Sequence, residues 1–587
     1  MEDPERARED GRVRRILLVA AALLGYVALT ALLTYPLVAR FWTAVPGAPG
    51  DASIFLWNSW WVKHALLDLK VNPFRTDYIF YPGGTSLVFH ALTFLNGLAS
   101  IPLQELFGLV AAHNTVIFAS FVLSAFGAYL LVRHVTGNEL ASFIGGAVFA
   151  FCPYKFAHLL GHVHLVSTQW IPFYVLFVLR MTTEAPRRVR HAVCAGLFLI
   201  LIGYTDYSYL LHSLLFTGIL FGWTILADRT ARRDPSFWKA YLVLAGVFLL
   251  GFSPVLLLAA QEAAHGDYPT VHGGGGSAAF VADLLGFVTP PVFHPVLKTW
   301  GQAVSRHFKG NVVEWTVFLG FTVIFLSLVA VRRRWRDCRS VRFWAVVGLV
   351  FLVLSMGPYL RVLGHKVVPL PGYFLTKTPV LNHLRAPSRF NLMTMLCCAV
   401  LSAYGLTYLL GATGGRRRRG LLASGVLALI LFEYLAVPYP MWDAAHHPIY
   451  DLIRADREDC TVLEIPLGYC DGTHTLGLNS EHLMYFQTIH EKKMFGGLVA
   501  RFPEHRLAHY RSLPLIGRVL SLEEGEHPEM NPSEETALAH EAVRRFKVKY
   551  VIVHRPYIGS PSHRYLTEIL PLAEVWRDDE LVAYRVE

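Results

Sequence analysis

The sequence predicts a polytopic α-helical membrane protein of about eleven transmembrane helices, closed by a small extracytoplasmic α/β domain. Three observations carry this reading. Uncharged apolar blocks recur from residue 16 to about residue 438, and about 20 such residues span a bilayer core of roughly 30 Å. The 587-residue chain is 54% hydrophobic and only 16% charged, with a mean hydropathy of +0.40, whereas ordinary soluble domains carry about 25% charged residues. The basic residues fall in short clusters between the apolar blocks, the pattern of cytoplasmic loops. The net charge of +10 is therefore an orientation signal and not a nucleic-acid-binding patch.

The expected spans are 16–38, 114–133, 140–157, 167–181, 191–204, 208–227, 239–260, 313–331, 341–357, 389–411 and 420–438. Arg6, Arg8, Arg12, Arg14 and Arg15 precede the first. That run is too long for a signal-peptide core, so it reads as an uncleaved span with a cytoplasmic N-terminus. Placing the clusters at 187–190, 229–233, 332–342 and 416–419 in the cytoplasm puts 39–113, 158–166, 204–208, 261–312, 358–388 and everything after 439 outside. The stretch 87–110 is apolar enough to cross, but spanning would move 187–190 outside. It therefore reads as a helix lying along the interface. The expected domains are 1–438, transmembrane with a large first external loop 39–113, and 439–587, soluble and extracytoplasmic. In the latter, 461–465 and 550–553 read as strands and 535–546 as an amphipathic helix. Cys460 and Cys470 both fall there, where an oxidising compartment permits a disulfide. The other five cysteines sit in or beside spans and read as small buried hydrophobes.

The candidate site residues are polar groups that this topology gathers on one side of the membrane. Asp51, in Pro46-Gly47-Ala48-Pro49-Gly50-Asp51, precedes an aromatic stretch, 54–61, suited to the interface; it could act as a general base or cap the following helix. Asp77 lies ahead of Tyr81-Pro82-Gly83-Gly84 and could bind substrate or pair with Arg75. In the second loop, His158, His162 and His164, with Lys155 and Gln169 beside them, could bind sugar hydroxyls, a phosphate or, for His162 and His164, a divalent metal. No other metal set and no cofactor motif is present. Asp206, with Tyr207 beside it, lies between two apolar spans, where an ionisable residue is costly and a functional candidate. Arg385 and Arg389, with Lys377 and His383 nearby, suit forked bonds to a phosphate or simple headgroup anchoring. The loop 261–312, with Asp267, Tyr268, His272 and Gly273 to Gly276, could form a lid. No phosphate-binding glycine loop or catalytic triad stands out, which disfavours direct use of a cytosolic nucleotide.

These features resemble the GT-C superfamily of membrane glycosyltransferases. The likeness covers the membrane region to about residue 438. It rests on Gly50-Asp51-Ala52-Ser53 soon after the first span, on Leu103-Gln104-Glu105-Leu106-Phe107-Gly108 in the first loop, and on the Tyr-Pro-x-Gly and Arg-Ala-Pro-Ser-Arg-Phe segments, which are similar to those of poorly characterised bacterial members. The resemblance implies a multi-pass protein of the bacterial inner membrane. It implies inverting transfer of a hexosyl or pentosyl group from a polyprenyl-phosphate carrier to an acceptor hydroxyl on a lipid, glycan or protein, with Asp51 as base. Arg385 and Arg389 would hold the lipid phosphate, and Asp206, His162 and His164 would orient the sugar. The sequence departs from the superfamily in having no Asp-x-Asp at Asp51 and in offering His162 and His164 where many members carry acids. Two rival readings are a transporter or flippase for lipid-linked saccharides and a non-catalytic envelope assembly factor.

Overall fold

The computed structural model describes residues 4–266, 280–375, 386–471, 474–480, 482–526 and 531–587. Arg385, Lys377, His383 and the loop residues Asp267, Tyr268, His272 and Gly273 to Gly276 lie outside them. Two compact units emerge. The first comprises Met1–Phe41, Asn114–Ser253 and Val271–Met441; the second comprises Trp42–His113, Pro254–Thr270 and Trp442–Glu587.

Among the described residues, eight helices are long and apolar enough to cross a membrane: Ile16–Leu33, Leu109–Thr136, Glu139–His158, Val163–Thr183, Ala185–Thr205, Tyr207–Ala227, Pro235–Ala264 and Pro387–Ala412. The three other expected spans are also helical, as Phe321–Arg334, Arg339–Ser355 and Arg416–Glu433, but with only 14, 17 and 18 residues. At 1.5 Å per residue the first of these reaches only ~21 Å, and the arginine clusters 332–334 and 416–419 occupy helix ends. The expected span 313–331 begins instead at Phe321, because Gly320, with φ +92, precedes the helix. Glu314 thereby falls outside it, on the separate turn Val312–Trp315.

Two spans of the first unit are broken where the sequence forces it. Glu139–Ala150 ends before Pro153, and Cys152 takes the extended conformation (φ −64, ψ 151) that a following proline imposes. Pro153–His158 then restarts as a short helix, and a second interruption separates Val163–Val166 from Trp170–Thr183. Residues 151–169 are thus an irregular polar insert that buries Lys155, His158, His164, Thr168 and Gln169. Where Asn391–Ala412 crosses Phe321–Arg334 the packing is close: a Cβ on Gly405 would stand 2.0 Å from the Leu326 carbonyl oxygen.

The second unit is built on a five-stranded sheet: β1 (Thr461–Ile465), β2 (Lys493–Met494), β3 (Val548–His554), β4 (Leu572–Arg577) and β5 (Leu581–Val586), in the order β2-β1-β3-β5-β4. β1 pairs in parallel with both β2 and β3, with Ile465 opposite Val553, and β5 runs antiparallel to β3 and β4. The expected strands and the helix Pro532–Phe546 are present. Cys460 and Cys470 are buried thiols, not a disulfide.

The first loop packs into this unit. Its helix Pro49–Lys63 is buried from Ala52 to Val62. The aromatic stretch 54–61 therefore does not face a membrane interface as its pattern suggested. Trp57, Trp60 and Trp61 are core residues, because neighbouring helices cover every face. The Trp57 indole donates to Gln487 Oε1 at 2.7 Å, and the Gln487 amide donates to the carbonyls of Tyr78 and Lys492. The strip Tyr78 to Tyr81 continues the pairing: Met494 N donates to Tyr78 O, Tyr81 N to Met494 O and Phe80 N to Gly496 O.

Candidate active site

The polar centre of the first unit starts from one short turn. Asn311 caps Val312–Trp315 by accepting the Glu314 amide on its side chain at 3.0 Å. This fixes the Glu314 carboxylate, whose side chain is 4% exposed, in the interior. Opposite it, Pro387 opens a 3-10 turn, Pro387–Phe390, ahead of the helix Asn391–Ala412. That turn presents Ser388 and Arg389 together. Arg389 Nε and Nη2 donate to Glu314 Oε1 at 3.1 and 2.9 Å, and the Ser388 hydroxyl donates to Oε2. Burial alone would raise the Glu314 carboxyl, but the Arg389 guanidinium overrides it and holds the group down at about 2, with help from His158.

Three further groups surround this pair. His158 Nε2 lies 3.9 Å from Glu314 Oε2, while its Nδ1 bonds the Tyr154 carbonyl at 2.9 Å. The His162 ring is tilted against that of His158 at 5.8 Å between ring centroids, and His164 stands 5.7 Å from His162. Asp206 caps Tyr207–Ala227, its Oδ1 accepting the Tyr209 amide at 2.9 Å. Burial pushes Asp206 up, and Arg389 opposes that shift from within electrostatic reach. The Tyr154 and Tyr209 hydroxyls are 3.3 Å apart, and Tyr209 also donates to the Leu165 carbonyl. On the short helix Pro153–His158, Lys155 is fully buried, with Nζ donating to Ser124 Oγ at 3.1 Å and lying 4.3 Å from the Phe121 ring centroid. Ser124 in turn shares a 2.8 Å hydrogen bond with Thr168. Among the described residues no carboxylate forms an ion pair with Lys155.

The structure thus brings Asp206, Arg389, His162 and His164 into one neighbourhood around Glu314, a residue the sequence reading passed over. Its signal was available: an acid at the edge of an apolar run is costly there. Tyr207 follows Asp206 but sets its ring edge-on to Phe252. Asp51 and Asp77 belong to the second unit. Asp51 stands in the first turn of Pro49–Lys63, directly after a kink at Gly50 (φ −35, ψ −107). Asp77 pairs with Lys493, while Arg75 reaches Glu262 at 2.8 Å. The local Arg75–Asp77 pair is not formed, because each finds a partner far away in sequence. Among the described residues no group of three or more His, Cys, Asp or Glu is arranged to hold a metal ion.

Comparison with solved structures places this architecture among the GT-C-like polytopic membrane folds. The arabinofuranosyltransferase AftD from Mycobacteria superposes with a TM-score of 0.58 at 15% identity, over 97% of this chain and 41% of that one. The Archaeoglobus fulgidus oligosaccharyltransferase, in a complex with Zn and sulfate, gives 0.50 at 12% identity, over 92% of this chain and 68% of that one. The chain thus spans about two fifths of the mycobacterial enzyme. No curated protein matches the sequence significantly. A family model does match, over residues 55–432, most of the chain and all of the polar centre, and by it the chain belongs to the family described as Domain of unknown function (DUF6311).

Proposed function

We propose that this protein is a GT-C-type glycosyltransferase of the bacterial inner membrane. It moves a hexosyl or pentosyl group from a polyprenyl-phosphate carrier to an acceptor hydroxyl on the extracytoplasmic face, with inversion. The observation that carries this reading is the buried Glu314–Arg389 pair, flanked by His158 and Asp206, inside a GT-C-like helical unit. An ionisable cluster of this size is expensive in such a setting and is kept for chemistry. The arginine clusters orient the chain with its N-terminus inside and its C-terminal unit outside.

In this mechanism Asp51 takes the proton of the acceptor hydroxyl. The freed oxygen attacks the anomeric carbon, the bond from that carbon to the phosphate oxygen breaks, and polyprenyl phosphate leaves with the electron pair. Negative charge grows on the leaving phosphate, so a preorganised cation near it is worth most. Arg389 shares its charge with Glu314, whereas Lys155 has no carboxylate against it. Lys155 is therefore the principal phosphate contact and Arg389 the secondary one. Asp206 and the histidines accept and donate to sugar hydroxyls. The interrupted spans at 151–152 and 167–169 favour a second reading, a carrier for a lipid-linked saccharide.

The deciding experiment incubates the purified protein in nanodiscs with radiolabelled polyprenyl-phosphate hexoses and pentoses and follows acceptor labelling. Transfer by wild type and its loss in Asp51→Asn supports the proposal. Full transfer by Asp51→Asn overturns the base assignment, and movement of label across the bilayer without transfer favours the carrier.

A further inference from the structure

A dense positive charge and an open apolar groove meet at the end of the first unit that lies away from Glu314 and Arg389. The helix Arg416–Glu433 packs antiparallel to Phe321–Arg334. Glu433, at the end of the one, accepts the amide and the hydroxyl of Thr322, at the start of the other, at 3.0 and 2.6 Å. Their opposite ends therefore bring the arginines at 416–419 together with those at 332–334. The helix Asn391–Ala412 ties both groups to its own C-terminal end. Arg333 lies over the Tyr408 ring at 5.7 Å, and Arg419 Nε donates to the Thr413 carbonyl at 2.9 Å. The turn after Phe321–Arg334 adds Arg336 and Arg339, so nine exposed arginines share this end. The 22 residues of Asn391–Ala412, about 33 Å at 1.5 Å per residue, separate them from Arg389 at its start.

Little in the protein balances this charge. Asp337 is the one acid in 332–339 and 412–420. Asp228 is within electrostatic reach of Arg339, but it bonds Thr230. Among the described residues no carboxylate forms an ion pair with any of the nine arginines. The helix adds to the imbalance. Gly415 precedes Arg416–Glu433 without a side-chain cap, so the positive end of the helix dipole faces four arginines. Cations are favoured at the other end of a helix, and an anion is favoured at this one.

One turn further along the same helix the surface becomes apolar. Leu421, Leu422, Gly425, Val426, Ala428 and Leu429 line a groove of about 560 Å³. Leu421 and Leu429 are exposed, and a Cβ on Gly425 would meet nothing within 4 Å, so the groove is open along its length. These two surfaces together restrict the occupant. A second copy of the chain would set arginines against arginines. A free phosphate would answer the charge and leave the groove bare, and a zwitterionic lipid would fill the groove and leave the charge. A lipid with a negative head group and an acyl chain answers both. We infer that this helix end and its groove bind an anionic phospholipid of the bilayer. The arginines at 416–419 and 332–334 hold its phosphate, and an acyl chain lies along 421–429.

The test titrates the full-length protein in detergent with dioleoyl phosphatidylglycerol or dioleoyl phosphatidylcholine and counts bound lipid by native mass spectrometry. Phosphatidylglycerol is expected to bind saturably and at least about tenfold more tightly than phosphatidylcholine. Arg416→Gln, Arg417→Gln, Arg418→Gln and Arg419→Gln together should weaken it at least about tenfold. Gly425→Trp, which fills the groove and keeps every arginine, should also weaken it, whereas Gly218→Trp, which fills open space on another helix, leaves it unchanged. If the fourfold variant does not accumulate, the two tryptophan variants carry the test. The inference is overturned if the two lipids bind equally, if inorganic phosphate at equal concentration displaces phosphatidylglycerol, or if Gly425→Trp binds as Gly218→Trp does. Because the readout is lipid binding alone, absence of glycosyl transfer does not affect it.

Discussion

Replacing Glu314 with Gln removes one charge from the buried pair while leaving an acceptor for Ser388. At 2.9 Å and an effective dielectric constant of about 20, the attraction to Arg389 is roughly 6 kcal/mol. Desolvation offsets much of this in the intact pair, but the substitution leaves the Arg389 charge in the interior without its partner. The expected cost is about 3–5 kcal/mol. Arg389→Gln should cost a similar amount, and the double variant less than the sum, with a coupling of about 1–3 kcal/mol. The measurement is denaturant-induced unfolding of the four proteins in detergent, followed by circular dichroism. Because the carboxyl is held at about 2 against a usual 4.5, its share of stability is complete above pH 4.5. That share is lost as the pH falls from 4.5 toward 2, and Glu314→Gln should flatten this limb. Additive single effects, each under about 1 kcal/mol, would refute the pair as an internal charge clamp.

Two further outcomes test the second unit. Gly84 has φ +65, and a Cβ there would stand 2.5 Å from the Thr76 carbonyl oxygen; Gly84→Ala should destabilise by about 1–3 kcal/mol, and an unchanged melting temperature would count against the loop geometry. Glu523 accepts the amides of Leu467 and Leu478 at 2.8 Å each, and burial pushes its carboxyl up to about 7. Its contribution is therefore full below pH 4.5 and is lost as the pH rises through 7, so wild type should lose stability relative to Glu523→Gln across that range; the opposite slope refutes it.

What could be read from the chain followed from local physics. Apolar length located the helices, the cost of an ionisable group between spans singled out Asp206, and the fork of a guanidinium beside a span end singled out Arg389. What could not be read was the choice of partner. Arg389 lies 75 residues from Glu314, Arg75 lies 187 residues from Glu262, and nothing nearby in sequence favours either pairing. The stretch 54–61 shows the same limit from the packing side. Its tryptophans suit a membrane interface and a protein core equally well, and only the helices His482–His490 and Phe94–Phe107 that cover it decide between them.

The two buried basic residues Arg389 and Lys155 also divide the labour differently from what their sequence contexts suggest. An arginine beside a span end suits a phosphate, and the fork geometry is right for one. Yet the fork of Arg389 is committed to Glu314, and a lipid phosphate approaching it would meet that carboxylate as well. Lys155 has the complementary property. Its side chain is fully buried, with one hydroxyl and one aromatic ring at its tip and no carboxylate. An arriving phosphate would supply a counter-charge there without displacing any existing pair, whereas binding at Arg389 must first displace the one with Glu314. Lys155→Met should then weaken donor binding more than Arg389→Gln does at equal folded fraction, measured as retention of radiolabelled polyprenyl phosphate in nanodiscs. A larger loss in Arg389→Gln would reverse the assignment.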